Sequence, residues 1–291
     1  MKIGLVVFGI YPAGLKQLIN KVISEATKDQ LFFGIEVERD QVVNVHPIIA
    51  DKENGSTKLL IKASLVSGHS LLPETMKDYD AVIVIGTAET KAVVDDWMLQ
   101  AKRPRLLFVP VSILNDIPGS DVSLGYDTAM NSIVEGALKI QDTIHSVKYD
   151  HPRLFGVGVP GMAPDHMLED LALATEGYYV SKRFTENQLH KLCETIQMNF
   201  SELRTSSILF FNEAISPEWL KENVLSRLEV DWKASVVDEA LCMGSYPTAI
   251  DRILASKLAE QIILWLKFGM DSGQLLIMSN EVAYQELGNI V

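Results

Sequence analysis

Asp165, His166, Glu169 and Asp170 set three carboxylates and an imidazole at i, i+3 and i+4 spacing. That arrangement could clasp a divalent ion from one helix face. No further ligand residue lies close by in sequence, so a solvated helix face is the more economical reading. Cys193, within the helical stretch 189–196, and Cys242, beside apolar residues, carry the only thiols. Thiols in apolar surroundings stay protonated and behave as small core residues rather than nucleophiles. Trp97, Trp219, Trp232 and Trp265 are scattered and read as packing residues. Better candidates for chemistry are the turns at 9–14, 86–90 and 110–116, each marked by Gly or Pro and each following a short apolar run.

The elements that must position those turns follow from periodicity. Residues 3–8 form a continuous apolar run ending at Gly9, the pattern of a buried parallel strand. Pro12 and Gly14 make the turn, and Leu15, Leu18, Ile19, Val22, Ile23 and Ala26 then recur at helical spacing. Runs at 31–38, 81–85 and 106–109 predict further strands; Gly86 stops the second and Pro110 closes the third. A helix through Ala92, Val93 and Trp97 lies between the last two. Such alternation predicts a doubly wound parallel sheet, in which ligands sit beyond the carboxyl ends of strands. Asp127 or Thr128 is placed to cap a long helix that buries Ile133, Val134, Ala137, Ile140 and Ile144. The alternation then restarts, with strands at 155–159 and 207–211, a helix at 167–173 and a last helix over about 248–268. The second half is another α/β layer joined to the first by the long helix.

Charge narrows the partners. With 26 basic against 38 acidic residues the net charge is −12. A field of that sign repels nucleic acid and anionic bilayers, so both are excluded as general partners. An anionic small substrate requires a local basic pocket. No apolar run reaches the roughly 20 residues of a spanning helix. The N-terminus Met1-Lys2-Ile3-Gly4-Leu5 lacks a signal-peptide layout, and two cysteines are too few for a disulfide framework. The expectation is a cytoplasmic globular protein whose 291 residues suffice for two domains of about 100–200 each.

Three stretches go further. Residues 110–117 read P-V-S-I-L-N-D-I, followed by G-S-D at 119–121 and G-Y-D-T-A at 125–129. Residues 247–256 read P-T-A-I-D-R-I-L-A-S. In this the chain resembles the 6-phosphofructokinase family, with its P-K-T-I-D-N-D-I, G-T-D and G-F-D-T-A patterns and the stretch after its Q-R-G-G turn. The resemblance implies two Rossmann-like α/β domains with mostly parallel sheets. Residues 1–128 with 248–291 would form the larger, nucleotide-binding side. Residues 129–247 would form the smaller, sugar-phosphate side. It also implies ATP and Mg on one side of a cleft, fructose 6-phosphate on the other, and an oligomer whose neighbouring subunit completes the sugar-phosphate site.

Several inherited roles fail on residue type. The family's general base, a carboxylate in T-I-D-N-D, matches Leu114, which has no lone pair to take a proton. Asp116 and Ser112 remain as fallbacks, Asp116 only if the loop shifts. In place of the metal-linked Asp of G-G-D-G-S stands Ala88, with Glu89 as a displaced fallback whose simpler role is at a helix start. Gly9, Gly14, Gly86 and Thr90 are what remains of the nucleotide cradle, where Phe8 and Ile10 introduce side chains. The stretch 67–74 lacks the Arg expected near the ATP phosphates and offers His69 instead.

The sugar side is less eroded. Glu213 matches a carboxylate that bonds sugar hydroxyls, and Gly161 the glycine of the M-G-R turn, whose Arg is Met162 here. Arg252 matches a 6-phosphate ligand, and Arg153 an Arg that reaches the adjacent subunit's 6-phosphate. The Arg of Q-R-G-G is Met243. Asp251 and Arg252 could equally cap and brace the last helix. The expected function is a phosphofructokinase-like subunit, inactive or strongly impaired, without a cofactor. Its partner would be itself or a catalytically intact phosphofructokinase-like chain, and it could retain sugar-phosphate binding. The alternative is an active 6-phosphofructokinase using ATP and Mg with rearranged residues.

Overall fold

The computed structural model describes residues 1–9, 11–38, 42–48, 76–100, 104–146, 150–202, 204–243 and 246–286. The chain divides into two compact units, residues 1–128 with 245–291 and residues 129–244.

The first unit begins with β1 (Lys2–Val7), α1 (Leu15–Ser24), β2 (Leu31–Glu38), β3 (Val42–Ile48), β4 (Ala81–Gly86), α2 (Ala88–Gln100) and β5 (Arg105–Pro110). Helix α3 (Tyr126–His145) follows, and the division between units falls within it. Its apolar strand runs have a direct cause: both faces of the sheet are covered. On one face Ile3, Leu5, Ile83 and Leu107 pack with Leu15 and Leu18 of α1. On the other, Val6, Val82, Val84 and Phe108 pack with Val94 and Trp97 of α2. Phe8 belongs to this second face, 6.2 Å from Trp97 between ring centroids. Its side chain therefore points into the core and not into the turn, where the resemblance had placed it in a phosphate cradle. Ile10 and the stretch 67–74, with His69, lie outside the described residues.

The second unit holds β6 (Arg153–Val159), α4 (Asp165–Ala174), β7 (Tyr178–Val180), α5 (Glu186–Ser201), β8 (Ser206–Asn212), α6 (Pro217–Asn223), β9 (Asp231–Val236) and α7 (Glu239–Met243). Among the described residues its strands form one parallel sheet in the order β7-β8-β6-β9. Thr185 and Gln188 close a reciprocal capping box at the start of α5. Cys193 on α5 and Cys242 on α7 are buried, and burial pushes the Cys242 thiol up to about 12, so neither is poised as a thiolate. Asp165 accepts a hydrogen bond from the Ser181 hydroxyl at 2.7 Å. Among the described residues no three His, Cys, Asp or Glu side chains converge as a metal site.

The chain then returns to the first unit with α8 (Ala249–Phe268), β10 (Gly273–Met278) and β11 (Glu281–Glu286). The first unit's sheet runs β11-β10-β5-β4-β1-β2-β3, parallel except for the antiparallel pairs β2–β3 and β10–β11 at its two edges. The cap of α3 departs from expectation. The helix begins at Tyr126, so Asp127 and Thr128 already lie in its first turn. Its opening amides are taken instead by Asp251 of α8, more than 120 residues away in sequence. The Asp251 carboxylate accepts from the Gly125 N–H at 2.7 Å, the Thr128 N–H at 2.8 Å and the Thr128 hydroxyl at 2.5 Å. Thr248 completes the cluster. Its N–H donates to Thr128 Oγ1 at 3.1 Å, and its own hydroxyl oxygen caps α8 by accepting from the Asp251 N–H. Gly125 has φ +101, and a Cβ there would lie 2.4 Å from Pro12 Cβ, so only glycine fits between this clamp and the first turn. No described helix is long and apolar enough to cross a membrane.

Candidate active site

Strands β1, β4 and β5 are neighbours in the sheet, so the turns leaving their carboxyl ends emerge side by side. Gly9 sits at φ +76, and a Cβ on it would meet Thr87 Cγ2 at 3.6 Å, which brings the first two turns into contact range. Gly14, at φ +88, leads into α1. In the second turn the Thr90 side chain lies directly on Gly86, where an added Cβ would stand 2.5 Å from Thr90 Oγ1. Thr90 is fully buried, and among the described residues its hydroxyl has no hydrogen-bond partner. Ala88 opens α2 and offers no side-chain oxygen. Glu89 is exposed in the same helix's first turn, where a carboxylate complements the helix dipole.

The third turn is fixed by its own polar side chains. The Ser112 hydroxyl donates to Asp116 Oδ1 at 2.6 Å and accepts from the Leu114 N–H at 3.0 Å. Asn115 occupies the left-handed region at φ +56, which asparagine tolerates better than most residues. Its amide donates to the Asp121 carbonyl at 2.9 Å. The Ser123 hydroxyl reaches both the Ser112 carbonyl and Asn115 Oδ1. Farther along, the Asp121 N–H donates to the Ile277 carbonyl, and Asp121 Oδ2 accepts from the Ser279 N–H, each at 2.7 Å. This stapling leaves Leu114 half-buried at the position where the resemblance leads one to expect a base. Asp116 is exposed, and its carboxylate is engaged by Ser112. To take Leu114's place it would have to give up that bond and unfold the turn around it. Asn115 and Ser123 escaped notice in the sequence, although short polar side chains clustered in a turn are the usual sign of such local bonding.

In the second unit, Gly161 and Glu213 come together beyond the carboxyl ends of β6 and β8. The Gly161 N–H donates to Glu213 Oε2 at 2.9 Å, while the Glu213 N–H donates to the Val159 carbonyl. Met162 beside them is 74% exposed. Arg153 lies elsewhere. It starts β6, and six strand steps of about 3.3 Å place it roughly 20 Å from the strand's carboxyl end. There it is ion-paired to Asp231, its register partner on β9. A single chain therefore does not gather Arg153 with Gly161 and Glu213. Arg252, in the first unit, is exposed on α8 and donates from Nε to the Pro247 carbonyl at 3.3 Å.

A family model described as phosphofructokinase matches residues 73–266. The ATP-dependent 6-phosphofructokinase of Shouchella clausii is 28% identical over 187 residues, covering 63% of this chain and 56% of that protein. The enzyme of the same name from Coxiella burnetii is 26% identical over 211 residues, or 72% and 63%. The chain thus spans somewhat more than half the length of the curated relatives it matches. In fold it is similar to Pichia pastoris phosphofructokinase in the T-state, with TM-score 0.79 and 18% identity over 98% of this chain and 37% of that one. The pyrophosphate-dependent phosphofructokinase of Marinobacter aquaeolei gives TM-score 0.71 and 12% identity over 100% and 83%.

Proposed function

Because the chain belongs to the phosphofructokinase family, we propose that it is a subunit of that family in which phosphoryl transfer is lost or strongly impaired. Its role is structural or regulatory, in an assembly with itself or with a catalytically intact phosphofructokinase-like chain. The observation that carries this reading is Leu114 at the base position, with the nearest carboxylate of the motif, Asp116, held by the Ser112 hydroxyl. Loss of a positioned base alone lowers rate by about 10²–10⁴. The residues present also fit ATP and Mg poorly. Ala88 supplies no metal ligand, Glu89 sits exposed in a helix's first turn, and Thr90 is buried against Gly86.

Residual sugar-phosphate binding is supported by Glu213, whose exposed carboxylate faces the Gly161 turn, and by the exposed guanidinium of Arg252. The rival reading is an active 6-phosphofructokinase with Asp116 as base and Glu89 as metal ligand. It requires the Ser112–Asp116 bond to be exchanged for a contact with substrate.

Thermal shift separates the two. Stabilisation follows RT ln(1 + [L]/Kd), about 2.7 kcal/mol at a hundredfold excess over Kd. Fructose 6-phosphate is expected to raise Tm, and ATP with Mg to leave it unchanged. A rise with ATP and Mg would contradict the reading. No rise with either ligand would remove the sugar-phosphate part and leave the structural role.

A further inference from the structure

Within the first unit, between Val122, helix α8 and the end of β10, lies a cavity of about 290 Å³. Its walls are the aliphatic side chains of Val122, Leu254 and Ile277, with Ile250 and Ile253 at the mouth. Ile250, Ile253, Leu254 and Lys257 recur at i, i+3, i+4 and i+7, so α8 presents them as one stripe. Leu254 and Ile277 are buried, but Ile250 and Ile253 remain 54% and 58% exposed, an apolar rim that a ligand could cover. The volume lies just below the roughly 300–1,000 Å³ usual for ligand pockets, which suits a small molecule.

Charge fixes the other end of that molecule. Among the described residues lining the cavity, Lys257 carries the charge. Its ammonium is anchored by the Asn280 carbonyl at 2.5 Å and also meets Glu281 Oε1 at 2.9 Å. Glu281 is 79% exposed, so this ion pair contributes little and its carboxylate can be exchanged for another. A phosphate dianion would want an Arg fork or several donors. One ammonium at the edge of an aliphatic pocket suits a single negative charge.

We propose that this cavity binds a small amphipathic monocarboxylate, its aliphatic body against Ile253 and Ile277 and its carboxylate on Lys257 in place of Glu281. The site is separate from the phosphoryl-transfer residues and does not depend on whether the chain is active. It does touch their loop. Val122 follows Asp121, which is bonded to Ile277 and Ser279.

The test titrates octanoate, octan-1-ol and octyl phosphate, below micelle-forming concentrations, into the full chain with isoleucine methyls observed by NMR. Octanoate is expected to give saturable shifts of Ile250, Ile253 and Ile277, with octan-1-ol about tenfold weaker for want of the charge-assisted contact. Lys257→Gln should bring octanoate down to the octan-1-ol affinity while leaving octan-1-ol unchanged. Ile253→Glu, at an exposed position that the fold tolerates, should abolish both. No saturable octanoate shift, equal octanoate affinity in Lys257→Gln, or tighter binding of octyl phosphate would each overturn the proposal.

Discussion

Introducing Leu114→Asp into a chain that already carries Ala88→Asp is expected to raise phosphoryl transfer from ATP to fructose 6-phosphate by about 10²–10⁴-fold. The comparison is with Ala88→Asp alone, so that the metal-side carboxylate is common to both. The backbone at Leu114 is held by the bond from its N–H to Ser112 Oγ, which the substitution leaves in place. Its side chain is only half-buried, so an aspartate there remains solvated and ionised without a large desolvation cost. Restored carboxylates would then stand on strand-end turns whose spacing the sheet already fixes. Equal kcat/KM in the two chains, with unchanged Tm, would mean that the proton is received somewhere other than position 114.

The largest structural effect is expected at Asp251. Asp251→Ala removes the acceptor of two buried backbone N–H groups and the Thr128 hydroxyl. Each buried donor left unsatisfied costs about 1–3 kcal/mol, so a total loss of about 3–5 kcal/mol is expected in urea unfolding followed by circular dichroism. That is a large share of the roughly 5–15 kcal/mol that holds an ordinary domain together. A loss below about 1 kcal/mol would show that water or a rearranged turn satisfies these amides, and the clamp would then be incidental.

The pH dependence of the same residue has a definite sign. Burial holds the Asp251 carboxyl above its ordinary 3.8, outweighing the hydrogen bonds that pull it down. The folded chain therefore binds this proton more tightly than the unfolded chain. The stability contributed is fully present below 3.8 and lost as pH rises through the folded value. Asp251→Asn cannot titrate. The Tm of the native chain relative to that variant should consequently rise on acidification from neutral pH toward 3.8. A constant difference, or one that shrinks, would contradict the assignment.

Legibility from sequence followed the range of the interactions. The runs at 3–8, 81–85 and 106–109 could be read because both faces of the central strands are buried, which leaves no polar alternation. The last helix could be read because Thr248 caps it locally. The start of α3 could not, because its cap comes from Asp251 on another helix. The direction of Phe8 was in principle available. Ile3, Leu5 and Val7 share one face of β1, so Val6 and Phe8 must share the other. The pairing of Arg153 with Asp231 depends on strand register between residues 78 apart, which no local pattern encodes. The turn at Leu114 was legible in residue type alone. That Ser112 holds Asp116 depends on the path of the turn through a left-handed Asn115.

The proposed loss of activity turns on Leu114 at the base position, and a coupled assay of the purified chain measures its consequence directly. Fructose 6-phosphate would be supplied with ATP and Mg, and separately with pyrophosphate and Mg. Turnover is expected at least about 10²-fold below the 1–100 s⁻¹ usual for kinases, with either donor. Turnover within that range, abolished by Asp116→Ala, would contradict the proposed loss of activity.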